Sequence, residues 1–271
     1  MISASSVILA LSAVSPALAD LGKSTLFPDG LHDPLSGLDN LPVPTFTTAS
    51  VDVPDICTSH ASDSGCDTTV EAYQVTIGDC AEPWTLCRCA DAQMDINAMA
   101  TRFAQVPPGV RSYVGSALAV AADSCSAGSS GDFIVFNGDC SQSVFDHESG
   151  HSLDQNTSPS DTWTNALAAS SCVPDDYANS SPAEDFAQVN VCYIYQQRVG
   201  TLPADPTCMQ PQLDVFSSDA RISGAISATQ CNADVRPFQL SDSEASSKNL
   251  SNAVYNGKIE TTFFHATPSR K

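Results

Sequence analysis

Positive charge is scarce in this chain: 11 Lys and Arg stand against 31 Asp and Glu, a formal net charge of −20 over 271 residues. A surface of that sign repels phosphate backbones and anionic headgroups, which argues against nucleic acid and membrane as partners. Long apolar runs are also missing after the N-terminus, so no later segment reads as a bilayer span. No internal repeat is found, and no dibasic pair marks a processing site between residues 20 and 56. Histidine and glutamate are sparse too, with 5 and 6 residues, whereas aspartate is used freely. With 42% apolar residues the chain has enough to bury, and it reads as an acidic, soluble, globular protein.

Residues 1–19 carry no charged side chain and include the run Val7-Ile8-Leu9-Ala10-Leu11; Ala17-Leu18-Ala19 then precedes Asp20. This reads as a signal peptide, although its basic leading segment is missing, and predicts a secreted, extracellular protein. Eleven cysteines between Cys57 and Cys231 agree with an oxidising compartment and a disulfide framework, with one thiol left over. Cys87-x-Cys89 has no matched second pair, so disulfides are favoured over metal there. Asn156, Asn179 and Asn249 begin N-x-Ser sequons, the pattern of a glycoprotein.

Residues 20–56 are proline-rich and free of cysteine, and read as an extended N-terminal arm or possible propeptide outside the body. Residues 57–271 then form a single disulfide-bonded domain. Alternation predicts a strand around 73–77, and helical spacing of Ala92, Ile96, Met99 and Phe103 predicts a helix over 91–105. Phe133-Ile134-Val135-Phe136 reads as a short buried or edge strand. A helix is expected from Ser141 or Ser143 to Gln155, with Ser143-x-x-Asp146 as a start signal and Asn156 as a stop. Two more are expected over 161–171 and Pro182–Arg198. The class is α+β.

The segment with chemistry is His147-Glu148-Ser149-Gly150-His151. Two histidines four apart share one helix face and can hold one metal ion, with Glu148 placed to reach a metal-bound water. At this composition such a pattern arises by chance about once in 500 chains, so it is treated as a signal. Gly150 counts against a helix there. A zinc site with three protein ligands needs one more, and two carboxylates compete. Asp161 lies shortly downstream. Glu184 lies at the start of the last helix, but Ser181-Pro182-Ala183-Glu184 is also a capping box that can occupy that carboxylate. Asp154 falls on the face of the histidines, either accepting a spare N–H from one of them or lying at the surface. Tyr177 is either a packed core residue or part of the site.

These two segments resemble the zincin metallopeptidases of the gluzincin type. More narrowly, His147 to Asp154 and Tyr177-x6-Glu184-x-Phe186-Ala187 resemble the active-site segments of the anthrax lethal-factor-type peptidase domain, over roughly fifteen residues. The resemblance implies His147, His151 and Glu184 as ligands of one zinc ion, Glu148 as general base and Tyr177 as oxyanion donor. It departs at Gln188, where a second glutamate is usual, and in the short gap between the segments. It also implies a zincin-like fold, a small twisted sheet with an active-site helix and a second ligand-bearing helix.

The function expected on this basis is a secreted zinc-dependent metallopeptidase, a monomer acting on a peptide or protein substrate. If strand 133–136 is the sheet edge, the substrate backbone would pair with it, and glycans at Asn156 and Asn179 would frame or narrow the cleft. The alternative is a non-catalytic secreted protein that binds or scavenges zinc.

Overall fold

A computed structural model of the chain describes residues 20–237. The expected signal peptide and Asn249 lie outside them. In chain order the elements are β1 (Ser24–Thr25), β2 (Phe46–Val51), α1 (Asp55–Asp63), β3 (Val70–Ile77), β4 (Trp84–Cys89), α2 (Ile96–Gln105), α3 (Pro108–Arg111) and β5 (Ser116–Val120). There follow β6 (Ser126–Ser130), β7 (Phe133–Asn137), α4 (Gln142–Asp154), α5 (Asp161–Ala169), β8 (Cys172–Val173), α6 (Pro182–Arg198), α7 (Gln210–Ser218) and α8 (Ala220–Ser227). The α+β class is as expected.

Six strands form one mixed sheet in the order β2-β3-β4-β5-β7-β6. β4, β5 and β7 run parallel, while β2 and β6 close the two ends antiparallel to their neighbours. Of the two readings of strand 133–136, buried or edge, the structure shows the buried one. β7 lies between β5 and β6, and the edge is β6, whose sequence Ser126-Ala127-Gly128-Ser129-Ser130 has no apolar alternation to announce it. Helix α2 begins later than expected because Asp95 caps it, accepting a hydrogen bond from the Ala98 N–H at 2.7 Å.

The proline-rich stretch is not an arm outside the body. Phe27, Leu31, Leu35 and Leu38 are buried in the main core, β2 pairs along its length with β3, and β1 pairs with β8. Asp39, in a 3-10 turn at Ser36–Asn40, accepts the Gln142 N–H at 3.1 Å and so caps α4 from a distant part of the chain. Near the other end of this stretch, Asn179 donates to the Lys23 carbonyl at 2.9 Å and accepts the Lys23 N–H at 3.0 Å.

Five disulfides hold the framework: Cys57–Cys87, Cys66–Cys89, Cys80–Cys231, Cys125–Cys140 and Cys172–Cys208. The thiol left over is Cys192, buried in α6. Cys125–Cys140 ties the approach to β6 to the link between β7 and α4. Gly138 in that link has φ +70°, and a Cβ there would meet the Ser124 carbonyl oxygen at 2.7 Å, so the sharp exit from β7 needs glycine. The Phe136 and Phe145 rings then stack with centroids 3.9 Å apart, fastening α4 to the sheet.

Candidate metal centre

Helix α4 is buried nearly all round, although Val144, Phe145 and Leu153 are its only large apolar residues. Small side chains make this possible. A Cβ at Gly150 would stand 3.0 Å from Asn190 Nδ2 and 3.3 Å from the Ala187 Cα, so α4 and α6 approach closely at that point. The glycine that weakens the helix in isolation is what lets it pack. Asn190 then donates to the Asp146 carbonyl at 2.8 Å, bonding one helix to the other.

At the far end of α4, Gln155 and Asn156 take left-handed conformations, and Arg221 of α8 donates to the Leu153 and Asp154 carbonyls. Those are orphan acceptors of a helix end, and a cation suits them. At the near end the N-cap is Ser141, not Ser143. Asp146 takes no part in capping and accepts instead from Gln142 Nε2 at 3.2 Å.

Helix α6 starts where its sequence announced. Ser181 is the N-cap and accepts the Glu184 N–H at 3.2 Å, Pro182 opens the helix, and Trp163 Nε1 donates to the Pro182 carbonyl at 3.1 Å. Only half of the capping box is used. The Glu184 carboxylate turns towards α4, where its Oε2 lies 3.2 Å from His147 Nε2 and 3.1 Å from His151 Nε2. The two imidazole Nε2 atoms are themselves 3.1 Å apart.

Three donor atoms thus form a nearly equilateral triangle. Ligands sharing one ion at 2.0–2.2 Å are separated by about 3.0 Å in cis-octahedral geometry and about 3.4 Å in tetrahedral geometry, and this triangle falls between. Asp161, the competing third ligand, is exposed at the start of α5 and stands apart from the cluster. Asp154 does not reach a histidine either. It accepts from the N–H and hydroxyl of Ser158, each at 2.7 Å, and so shapes the turn after α4. Asp79, Cys80 and Cys231 also converge, but those cysteines form a disulfide and Asp79 pairs with Arg111. Cys87 and Cys89 are likewise both in disulfides.

The field of the cluster favours a cation. Burial pushes the Glu184 carboxyl upward, yet the two histidines outweigh it and hold it well below the usual carboxylate range. Burial works against a charged His147, yet Glu184 and Glu148 outweigh it and raise that pKa. Glu148 is 1% exposed, with no hydrogen-bond partner for Oε2 among the described residues, and its burial drives its pKa up. It lies outside the group of three converging ligand atoms, so its carboxylate faces the cluster's charge without joining it. The Tyr177 ring stands 5.4 Å from that of His147, and burial followed by the Glu184 charge keeps its hydroxyl protonated.

Two residues in this site were not expected from the sequence. Gln188 lies one turn beyond Glu184 on the same face of α6, with its Oε1 3.1 Å from His147 Nδ1. Its Nε2 donates to Asp175 Oδ2 at 2.7 Å. Helical spacing from Glu184 points to Gln188, but nothing local marks Asp175, which lies in a turn brought in by β8.

Residues 28–234 match the family model described as Conidiation-specific protein Con-13. The chain is similar to Conidiation-specific protein 13 of Neurospora crassa, 34% identical over 227 residues. The alignment covers 72% of this chain and 66% of that relative, just under two thirds of its length. No solved structure matches. Neither match is to a zincin or any peptidase, which overturns the resemblance to the lethal-factor-type domain and, with it, the expected metallopeptidase and its protease character. The zinc-scavenger alternative gains no support from either match. A fifteen-residue likeness is outweighed by one extending over most of the chain.

Proposed function

Because the chain belongs to the Conidiation-specific protein Con-13 family, we propose that it serves in conidiation, as its relative's name states of that protein, and that His147, His151 and Glu184 hold one zinc ion within its fold. The observation that carries the metal reading is the triangle of ligand atoms 3.1–3.2 Å apart, two on α4 and one on α6. Two imidazoles and a carboxylate are ligands that zinc accepts. Glu148 adds a second buried carboxyl group beside them, and the Tyr177 ring packs against His147. Bound there, the ion would link the two helices that pack at Gly150. Secretion belongs to the same proposal, supported by the apolar residues 1–19 and by five disulfides, which persist in oxidising compartments.

The test is the metal content of the purified full chain, before and after reconstitution with zinc, beside a His147→Ala variant. About one zinc per chain in the wild type and none in the variant is expected. A wild-type chain that holds no zinc after reconstitution overturns the proposal.

A further inference from the structure

We propose that Asp175 and Gln188 act as a relay of positioning residues that fixes the His147 ring and aims its Nε2 lone pair at the ion, an inference resting on the zinc reading above. The direction of each hydrogen bond follows from what each group can do. The Asp175 carboxylate accepts two donors, the Ala178 N–H at 3.0 Å on Oδ1 and Gln188 Nε2 at 2.7 Å on Oδ2. A carboxylate only accepts, so Gln188 must present its amide nitrogen to Asp175 and its carbonyl oxygen to His147. That oxygen, 3.1 Å from His147 Nδ1, in turn requires a hydrogen on Nδ1. With the proton held there, Nε2 is left to face Glu184 and His151 as a ligand.

The relay is built, not incidental. Asp175 is 4% exposed and Gln188 is 8% exposed. Asp175 lies three residues after Cys172, whose disulfide to Cys208 anchors the turn. Two donors converge on Asp175, so an asparagine there, with one acceptor oxygen, could satisfy only one of them. On α6, Glu184 and Gln188 are four apart, so one helix face supplies both a ligand and the group that orients another ligand. His151 has no such support: its Nδ1 makes no hydrogen bond to a described residue, and its side chain is 17% exposed.

The experiment uses the full chain, with zinc affinity measured by competition against a chromogenic chelator, and histidine nitrogen NMR recorded on zinc-free protein. Gln188→Leu and Asp175→Asn are expected to weaken zinc binding about 10- to 100-fold, the range for lost partners of metal-ligating histidines. The wild-type spectrum should show His147 Nδ1 carrying a proton, and Gln188→Leu should shift that signal while leaving His151 in place. Wild-type affinity in a folded Gln188→Leu variant, or a wild-type His147 with bare Nδ1, overturns the relay. A wild-type chain that binds no zinc overturns the parent reading instead. The NMR arm needs neither metal nor a variant, so it decides the relay separately.

Discussion

Gly150 of α4 packs on Asn190 of α6 so closely that a single added carbon would lie 3.0 Å from the Asn190 amide nitrogen, which holds the Asp146 carbonyl. The spacing of α4 and α6 is set at this point. Gly150→Ala gains about 1 kcal/mol of helix propensity, but overpacking against the Ala187 backbone costs about 1–3 kcal/mol. The variant should therefore melt below the wild type in thermal denaturation. Gly150→Val should fall further, since β-branching removes the propensity gain. A rise in melting temperature for Gly150→Ala would show that α6 can move away at little cost.

If one zinc joins α4 to α6, chelation should destabilise the fold. Zinc at a hundredfold excess over its Kd adds about 2.7 kcal/mol, or roughly 5–11 °C of melting temperature for a domain of this size. Differential scanning calorimetry with and without chelator should show that difference in the wild type. In Glu184→Gln, which keeps the Ser181 cap but removes the charge, the two traces should coincide.

Asp146 gives a pH dependence with a definite sign. Complete burial pushes its pKa up from 3.8 to about 8, so between those values the folded state binds more protons than the unfolded one. This group's contribution to stability is therefore highest below about pH 4 and declines until about pH 8. Asp146→Asn removes the charge that burial disfavours and keeps an oxygen that can accept from Gln142 Nε2. The variant should be more stable than the wild type in urea titrations at pH 8, and the gap should close towards pH 4.

The Cys125–Cys140 bridge closes a span of 15 residues just before α4. Loop entropy for a span of that size amounts to about 3 kcal/mol. Replacing both cysteines by alanine should lower the urea midpoint accordingly, with hydrogen exchange rising first in β6 and the opening turn of α4. Uniform loss of protection across the sheet would mean that the bridge steadies the whole fold and not this corner.

Legibility in the sequence followed the locality of the forces. Helix α6 was readable to the residue because Ser181 and Pro182 mark its start within its own sequence. The i, i+4 histidines could be picked out by spacing, but the third carboxylate stayed open between Asp161 and Glu184, and the structure brings Glu184 to the histidines. What could not be read depends on chain segments far apart. β6 is a strand because β7 pairs with it, and its Ser-rich sequence carries no pattern of its own. α4 is buried because α6 fits against its small residues, and it is capped by Asp39, 103 positions earlier. Phe27, Leu31, Leu35 and Leu38 recur at intervals of four, four and three, a spacing that marks a buried face, but Pro28 and Pro34 stand among them and the segment folds as turns, so the stretch looked detached. Family membership lay outside a short motif altogether: it spreads over residues 28–234.

His151 and Glu184 are 33 residues apart, so an ion between them would close a loop about as long as those of Cys57–Cys87 and Cys172–Cys208, which span 30 and 36 residues. The metal loop begins before Cys172 and ends inside the Cys172–Cys208 loop, so the two overlap along the chain. The disulfide constrains the unfolded chain itself, whereas an ion held only by the folded state would stabilise by binding to it, so one staple opens to a reductant and the other would open to a chelator or a drop in pH. With an ion bound, the corner of the molecule built from α4, β8 and α6 would be stapled under two separate chemical controls, and a change in thiol poise alone would leave one of them closed.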